Sequence, residues 1–330
     1  MLAVQTPLIS IVIIGRNEAR NLPRLHASLA PLEARWPCET VFVDSASNDN
    51  SVDIGRSLFD TVAVLSPSPH LNASAGRHVG VSLVRGEWVL FLDGDMEVMP
   101  GCSDALSAHF SGNESTKGVV GIYVNRFSDG STRRWSPAID RHGCVVHFGG
   151  AVLLPIEALR AQNWDPRFYS NEEIELYARL RQSGYCVRRL DCDFIAHWTA
   201  SVSVRRRLIG NFSPRNSFLG KKFYGVGQVL RACVVEGRLL NLMRWFPEPF
   251  VLWGAILLSP LLALALGWLV AAALLVGACG FVIRRRSWRL VIVYIAFLPQ
   301  ALLGWGRFAR DWTPTTAAIY RRKVPAHRAD

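Results

Sequence analysis

Two aspartates, Asp93 and Asp95, flank a glycine at the end of the apolar run Trp88–Asp93 (WVLFLD). Residues two apart on an extended chain point the same way, so both carboxylates can face one site. Two carboxylates so placed repel unless a cation lies between them. A hard divalent ion, held by one or two carboxylates plus phosphate oxygens, is the usual partner. A solvated acidic turn is the alternative for so short a motif. Four other positions carry chemistry. Asp44 ends the run TVFVD and precedes Ser47 and Asp49. There it suits an acceptor for a base or ribose, or the cap of a following helix, which Ser47 or Asp49 also supplies. Arg16-Asn17-Glu18 follow the first apolar run. Helix capping accounts for Asn17 and the helix dipole for Glu18, and nucleotide contact is the second reading of both. Glu172-Glu173 open a helix whose N-terminus favours ionised carboxylates, a sensible place for a general base and also for ordinary first-turn charge. His197 ends the run FIAH. It is either structural or a neutral imidazole completing a metal site of carboxylate and phosphate oxygens.

The elements that must position these residues are legible in the pattern. Ile9–Gly15, Thr40–Asp44 and Trp88–Asp93 read as buried strands, and Leu22, Leu25, Leu29 and Leu32 have helical spacing after Asn17. A second helix follows Asp49 and a third covers Ala73–Val84. Strands alternating with helices over the first ninety or so residues predict βαβ units and a parallel sheet, with ligands beyond the carboxyl ends of its strands. Past Asp95 the pattern loosens into strands and loops. Val152–Leu154, Tyr185–Val187 and Phe194–Ala196 read as short strands. Asn171 reads as the cap of a helix over Glu172–Ser183 that stops at Gly184.

The 330 residues carry a net charge of +11. The average conceals a division. Residues 1–200 hold 18 Lys+Arg against 22 Asp+Glu, a net −4, and residues 201–330 hold 19 against 4, a net +15. The basic part is also the most apolar, which points to a membrane surface and away from nucleic acid. The seven scattered cysteines contain no C-x-x-C pair. Neither a zinc site nor a disulfide framework is expected, and a reducing compartment fits. The N-terminus shows no signal-like segment.

Residues 201–248 read as a basic amphipathic linker at a membrane interface, including Arg205–Arg207, Leu208, Ile209 and Lys221-Lys222. Residues 249–330 read as membrane helices and a basic cytoplasmic tail. Phe250–Ile283 is 34 residues without a charge. As one helix it would be ~51 Å long, far beyond a hydrocarbon core of ~30 Å, so a hairpin breaking near Pro260 or Gly267 is expected. Arg284–Arg286 follow, then a third apolar run, Leu290–Gly306. The positive-inside rule puts both basic clusters in the cytoplasm, which leaves two or three crossings open.

In order as well as type, these segments resemble the family 2 glycosyltransferases. ISIVIIGRNEARNL resembles the opening strand and N-E step, VFVDSASNDNS the nucleotide segment, and SAGRHVGVSLVRGEWVLFLDGD the A-R-N-x-G helix leading to D-x-D. FGGAVLLPIEALRAQNWDPRFYSNEEIELYARLRQSGY resembles the acceptor-side segment. The resemblance runs from about Leu8 to His197. It implies an α/β fold of GT-A type: a Rossmann-like mixed, mainly parallel sheet with flanking helices in residues 1–200, followed here by interfacial and transmembrane helices. It implies that Asn17, Glu18, Asp44, Arg77 and Asp93 contact a nucleotide sugar, UDP- or GDP-linked. Asp95 and His197 would bind Mg²⁺ or Mn²⁺, and Glu173, or Glu172 beside it, would be the base. Three departures stand out: Ser45 where many members have a second Asp, His78 in place of Asn, and Glu173 in place of the commoner Asp. The processive Q-x-x-R-W motif is absent; Asn241–Trp245 is a near miss. The implied activity is inverting transfer of a sugar to a lipid or lipid-linked saccharide at an inner or plasma membrane, the catalytic part facing the cytoplasm, in envelope or exopolysaccharide synthesis. A polyprenyl-phosphate acceptor is the alternative. A nucleotidyltransferase would need a Gly-rich loop and a Lys near the first strand, which GRNEARNL lacks. A non-catalytic membrane scaffold would not need Asp93, Asp95 and Glu173.

Overall fold

The computed structural model describes residues 8–112, 117–140, 142–145, 148–199, 218–285 and 288–322. Arg205–Arg207, Leu208, Ile209 and Arg286 lie outside the described residues. The chain forms two compact units, residues 1–203 with 311–330, and residues 204–310.

The first unit is built on one sheet. Its strands are β1 (Ile9–Gly15), β2 (Cys38–Asp44), β3 (Thr61–Leu65), β4 (Trp88–Asp93), β5 (Met96–Val98), β6 (Gly118–Phe127), β7 (Thr132–Trp135), β8 (Val152–Pro155), β9 (Val187–Thr199) and β10 (Thr316–Arg321). The order is β10-β3-β2-β1-β4-β8-β6-β9-β5, with β7 on β6. The sheet is mixed, as expected. Its parallel part is β3-β2-β1-β4 together with the β6–β9 pair, and every other pairing is antiparallel. The helices are α1 (Leu22–Ser28), α2 (Ala30–Glu33), α3 (Ser51–Leu58), α4 (Ala73–Leu83), α5 (Cys102–Ser111), α6 (Ile156–Ala161) and α7 (Glu172–Gln182).

The apolar strands are covered on both faces, which is why they read as continuous hydrophobic runs. On β1, Ile9, Ile11 and Ile13 join Leu22, Leu25, Leu32 and Trp36 in the main core. Val12 and Ile14 point the other way, towards α4. A Cβ on Gly80 would lie 2.3 Å from Val12, so only glycine lets α4 settle that close. Asn72 caps α4 by accepting from the Ala75 N–H at 2.8 Å.

Several expectations need correction. Asn17 caps no helix: α1 starts at Leu22, and Asn17 is left-handed at φ 62°. Asn171 does precede α7, but it is also left-handed and its side chain makes no capping bond. The two short strands expected around Tyr185–Val187 and Phe194–Ala196 are one strand, β9, of 13 residues. Cys144 and Cys186 are joined in a disulfide. They meet because the Val145 N–H donates to the Val187 carbonyl at 2.8 Å, drawing the loop before β8 onto the start of β9. Residues 316–321 are no part of a tail on the helical unit, since they form β10, a strand of the first unit's sheet.

The second unit holds α8 (Phe218–Val235), α9 (Leu239–Trp245), α10 (Pro247–Leu266), α11 (Trp268–Arg285) and α12 (Trp288–Gly306). The uncharged run breaks at Gly267, where φ is +92°, and α10 continues through Pro260. Leu252 and Ala255 of α10 pack on Ala278 and Val282 of α11, while Phe223 of α8 packs with Trp253, Phe297 and Ala301.

Candidate active site

The loops after β1 and β2 are locked together. The Asn17 N–H donates to Ser47 Oγ at 2.8 Å, the Glu18 N–H to Ser51 Oγ at 2.8 Å and the Ala19 N–H to Asp49 Oδ2 at 3.3 Å. In return Asn17 Oδ1 accepts from the Asn48 N–H at 3.0 Å. The Ser/Asp-rich segment therefore meets the backbone donors of residues 17–19, and Asn17 stays exposed at the strand ends. Asp44 is fully buried, and its two oxygens accept from the Ser47 N–H and hydroxyl. Both oxygens are thereby used in building the turn after β2. Ser45, at the next step, is half-buried.

Asp93 and Asp95 diverge, because the chain turns at Gly94-Asp95 instead of continuing as a strand. Asp93 faces Arg77, whose Nη2 donates to it at 2.7 Å. Arg77 Nη1 donates to Glu172 Oε1 at 2.9 Å, and its guanidinium lies 4.8 Å from the Trp164 ring centroid. Arg77 is 2% exposed and forms a clamp between Asp93 and Glu172. Its carboxylate partners hold it fully charged despite burial. Gly150 closes the clamp from a third side. A Cβ there would lie 2.4 Å from Arg77 Nη2 and 2.8 Å from Asp93 Oδ2.

Asp95 faces His197, with Oδ2 and Nε2 3.2 Å apart. The other ring nitrogen, Nδ1, is 3.1 Å from Asn125 Oδ1. An amide oxygen only accepts, so Nδ1 carries the proton in that bond and Nε2 is turned to Asp95. Asn125 sits beside His197 in the β6–β9 register. The sequence reading missed it, although a lone amide in the apolar strand GVVGIYVNRF was the available signal. Behind the histidine, Trp198 donates to the Asp95 carbonyl at 3.1 Å through its backbone and to Glu97 Oε1 at 2.5 Å through its indole, under the Arg24 guanidinium.

Glu18 lies over Gly94, between the two aspartates: its Cγ is 2.7 Å from where a Gly94 Cβ would stand. Its carboxyl is pushed up first by burial and then by Asp95 and Asp93, despite a hydrogen bond from Asn21. His197 is also pushed up, by its bond to Asp95. The repulsion that raises the Glu18 carboxyl is what a divalent ion would relieve. Among the described residues no three His, Cys, Asp or Glu side chains converge on a metal position. Asp95 and His197 supply two donors, and a diphosphate would have to supply the others, as is usual for Mg²⁺ and Mn²⁺ in phosphate-binding sites. The residues fit that group.

The two glutamates at the start of α7 are unlike. Glu172 is buried against Arg77. Burial, and then the charge of Glu173, push its pKa up to about 8, and Arg77 only partly opposes the rise. Glu173 is half-buried. The two side chains thus stand in different surroundings, Glu172 tied to Arg77 and Glu173 partly open to solvent.

Residues 10–173 match the family model of Glycosyl transferase family 2. Over 97 residues the chain is 30% identical to a 4,4'-diaponeurosporenoate glycosyltransferase of Staphylococcus haemolyticus, a stretch covering 28% of this chain and 25% of that protein. Over 93 residues it is 29% identical to glycosyltransferase AglE of Haloferax volcanii, covering 27% and 31%. The chain thus spans about a quarter to a third of these curated relatives. Among solved structures, a mannosyltransferase from Pyrobaculum calidifontis, in complex with GDP-Man and Mn²⁺, superposes with a TM-score of 0.53 at 15% identity, covering 92% of this chain and 89% of that one. TarS of S. aureus, in complex with UDP, gives 0.52 at 14% identity, covering 90% of each.

Proposed function

Given that residues 10–173 belong to glycosyl transferase family 2 and that the first unit has the GT-A fold, we propose that the chain transfers a sugar, with inversion, from a nucleotide sugar to a lipid or lipid-linked saccharide at a membrane. The observation that carries the reading is the Arg77 clamp. It ties Asp93, at the donor side, to the first turn of α7, so that Glu173 is fixed relative to the carboxylates after β4.

In a single displacement, Glu173 accepts the proton of the acceptor hydroxyl while that oxygen bonds to the anomeric carbon. The bond from the anomeric carbon to the diphosphate oxygen breaks, and the nucleoside diphosphate leaves with the electron pair. Asp95 and His197, the latter oriented by Asn125, would hold Mg²⁺ or Mn²⁺ against the diphosphate. A bound divalent ion supplies charge neutralisation for the leaving group. Asn17 and Glu18 line the cleft at the ends of β1 and β2. The ions and nucleotides of the solved relatives support this donor chemistry. The exposed apolar helices of the second unit support a membrane-borne acceptor, and the flanking basic residues support a cytoplasmic face at an inner or plasma membrane, in envelope or exopolysaccharide synthesis.

Purified protein with Mn²⁺ or Mg²⁺ should release nucleoside diphosphate from one of a panel of UDP- and GDP-sugars when lipid acceptors are added. Asp95→Ala should abolish transfer, and Glu173→Gln should lower it by about 10²–10⁴-fold. Undiminished transfer by Asp95→Ala would refute the mechanism. If the acceptor is a polyprenyl phosphate, already ionised, Glu173→Gln should keep most of its activity.

A further inference from the structure

We propose that residues 204–310 are an in-and-out membrane insert. In this inference α10 and α11 cross the bilayer as a hairpin turning at Gly267-Trp268, and the chain re-emerges on the face it left. It rests on the membrane reading above and fixes what that reading leaves open, the number and identity of the crossings.

Parity limits the number. β9 ends at Thr199 and β10 begins at Thr316, and both are strands of one sheet. β10 is fully docked: the Ser66 N–H donates to the Thr315 carbonyl and the Arg322 N–H to the Asp60 carbonyl, each at 2.8 Å. The Arg56 guanidinium lies 4.4 Å from the Tyr320 ring centroid. A hydrogen-bonded sheet cannot have strands on opposite sides of a bilayer. Whatever leaves after β9 therefore returns before β10, and the number of crossings is even. Three crossings are excluded, although three apolar helices are present.

Length and charge identify the pair. α10 has 20 residues with a mean hydropathy of 2.1. At ~1.5 Å per residue it spans ~30 Å, the thickness of a hydrocarbon core. α11 is the shorter arm: ahead of its two terminal arginines its apolar stretch runs from Trp268 to Ile283, ~24 Å at ~1.5 Å per residue. One residue, Gly267, joins them, and its positive φ lets the chain reverse. The tip carries only exposed apolar residues, among them Leu264, Trp268 and Leu269. The charges stand at the open end: Arg244 before α10, and Arg284 and Arg285 at the end of α11. That is the asymmetry expected of a hairpin entering from the basic, anionic-lipid side.

Close packing on α8 removes α12 from the crossing set. The two helices touch backbone to backbone: a Cβ at Gly227 would lie 1.8 Å from the Ala301 carbonyl oxygen, and one at Gly304 1.9 Å from that of Tyr224. Arg231 of α8 donates to the Trp305 carbonyl at 2.7 Å. α8 carries Lys222, Gln228 and Arg231, which are costly in hydrocarbon. A helix bound this closely to it stays in the interface with it.

The test is protease protection in sealed vesicles of known orientation. The full-length protein carries one epitope tag after Asp330. Separately, the Trp268→Cys variant is exposed to a membrane-impermeant maleimide, and the labelled peptide is identified by mass spectrometry. The tag and the first unit should be digested from the same face, and the introduced cysteine labelled only from the opposite face. A tag protected while the first unit is digested would overturn the even parity and leave the membrane reading intact. Labelling of the introduced cysteine from the face of the first unit would overturn the crossing hairpin. Release of the whole protein by alkaline carbonate would overturn the membrane reading and the inference with it.

Discussion

Arg77 shows how one buried side chain can tie down one of two neighbouring glutamates and leave the other partly open. A guanidinium at 2% exposure needs acceptors against it, and it has two, Asp93 and Glu172. Glu172 is thereby committed to a structural contact, yet burial and Glu173 still raise its pKa to about 8 from 4.5. The folded protein therefore binds a proton there that the unfolded chain releases. The stability linked to that proton is complete below about pH 4.5 and is lost as pH rises through about 8. Glutamine mimics the protonated form and can still accept from Arg77. Glu172→Gln should then keep a nearly constant thermal midpoint across this window while the wild type declines, and should retain transfer activity. Identical slopes for the two proteins would refute a raised Glu172, and activity lost as completely as in Glu173→Gln would refute its assignment as a positioning residue.

Glycine decides how closely β8's lead-in segment approaches the clamp. Both atoms that a Gly150 Cβ would meet, on Arg77 and Asp93, are themselves tied, so neither can swing aside. Gly150→Ala should cost about 1–3 kcal/mol in chemical denaturation, as overpacking does, and should lower turnover more than substrate affinity, because Asp93 and α7 are displaced together. Unchanged stability and kinetics would show that the clamp is looser than its geometry. At this scale the sequence was informative wherever pattern follows local rules. The largely apolar β1 and β4 and the helix stopped by Gly184 stand where periodicity puts them. It was silent where long-range pairing decides. Arg188-Arg189 and Asp191 interrupt the apolar alternation of β9, so one strand looks like two; pairing with β6 from Val187 to Thr199, and with β5 on the other edge at Ile195–His197, holds it together. Asn17 and Asp44 looked like caps, but the hydrogen bonds that their side chains accept come from residues 47 and 48, across a turn whose geometry no spacing reveals.

For the whole molecule, the telling feature is that the sheet is closed by its last strand. Residues 204–310 form a unit of their own, yet the chain returns to hydrogen-bond β10 along β3. Without β10, the edge of Thr61–Leu65 would present unpaired backbone donors and acceptors beside the buried Val62 and Leu65, a template for aggregation. The contrast between an acidic first part and a basic second part takes on a structural meaning here. The basic insert is tethered to the acidic unit at both of its ends, where a terminal domain would be tethered at one. Ending the chain after Arg310 should lower the thermal midpoint of the first unit and increase its aggregation in size-exclusion chromatography, even in detergent that keeps the helices soluble. Tyr320→Ala removes only the stacking on Arg56, worth about 0.5–1 kcal/mol at an exposed site, and should shift the midpoint slightly without aggregation. If the truncated chain were as stable and monodisperse as the full one, β10 would be a passive edge, and its pairing would do nothing to hold the two ends of the insert together.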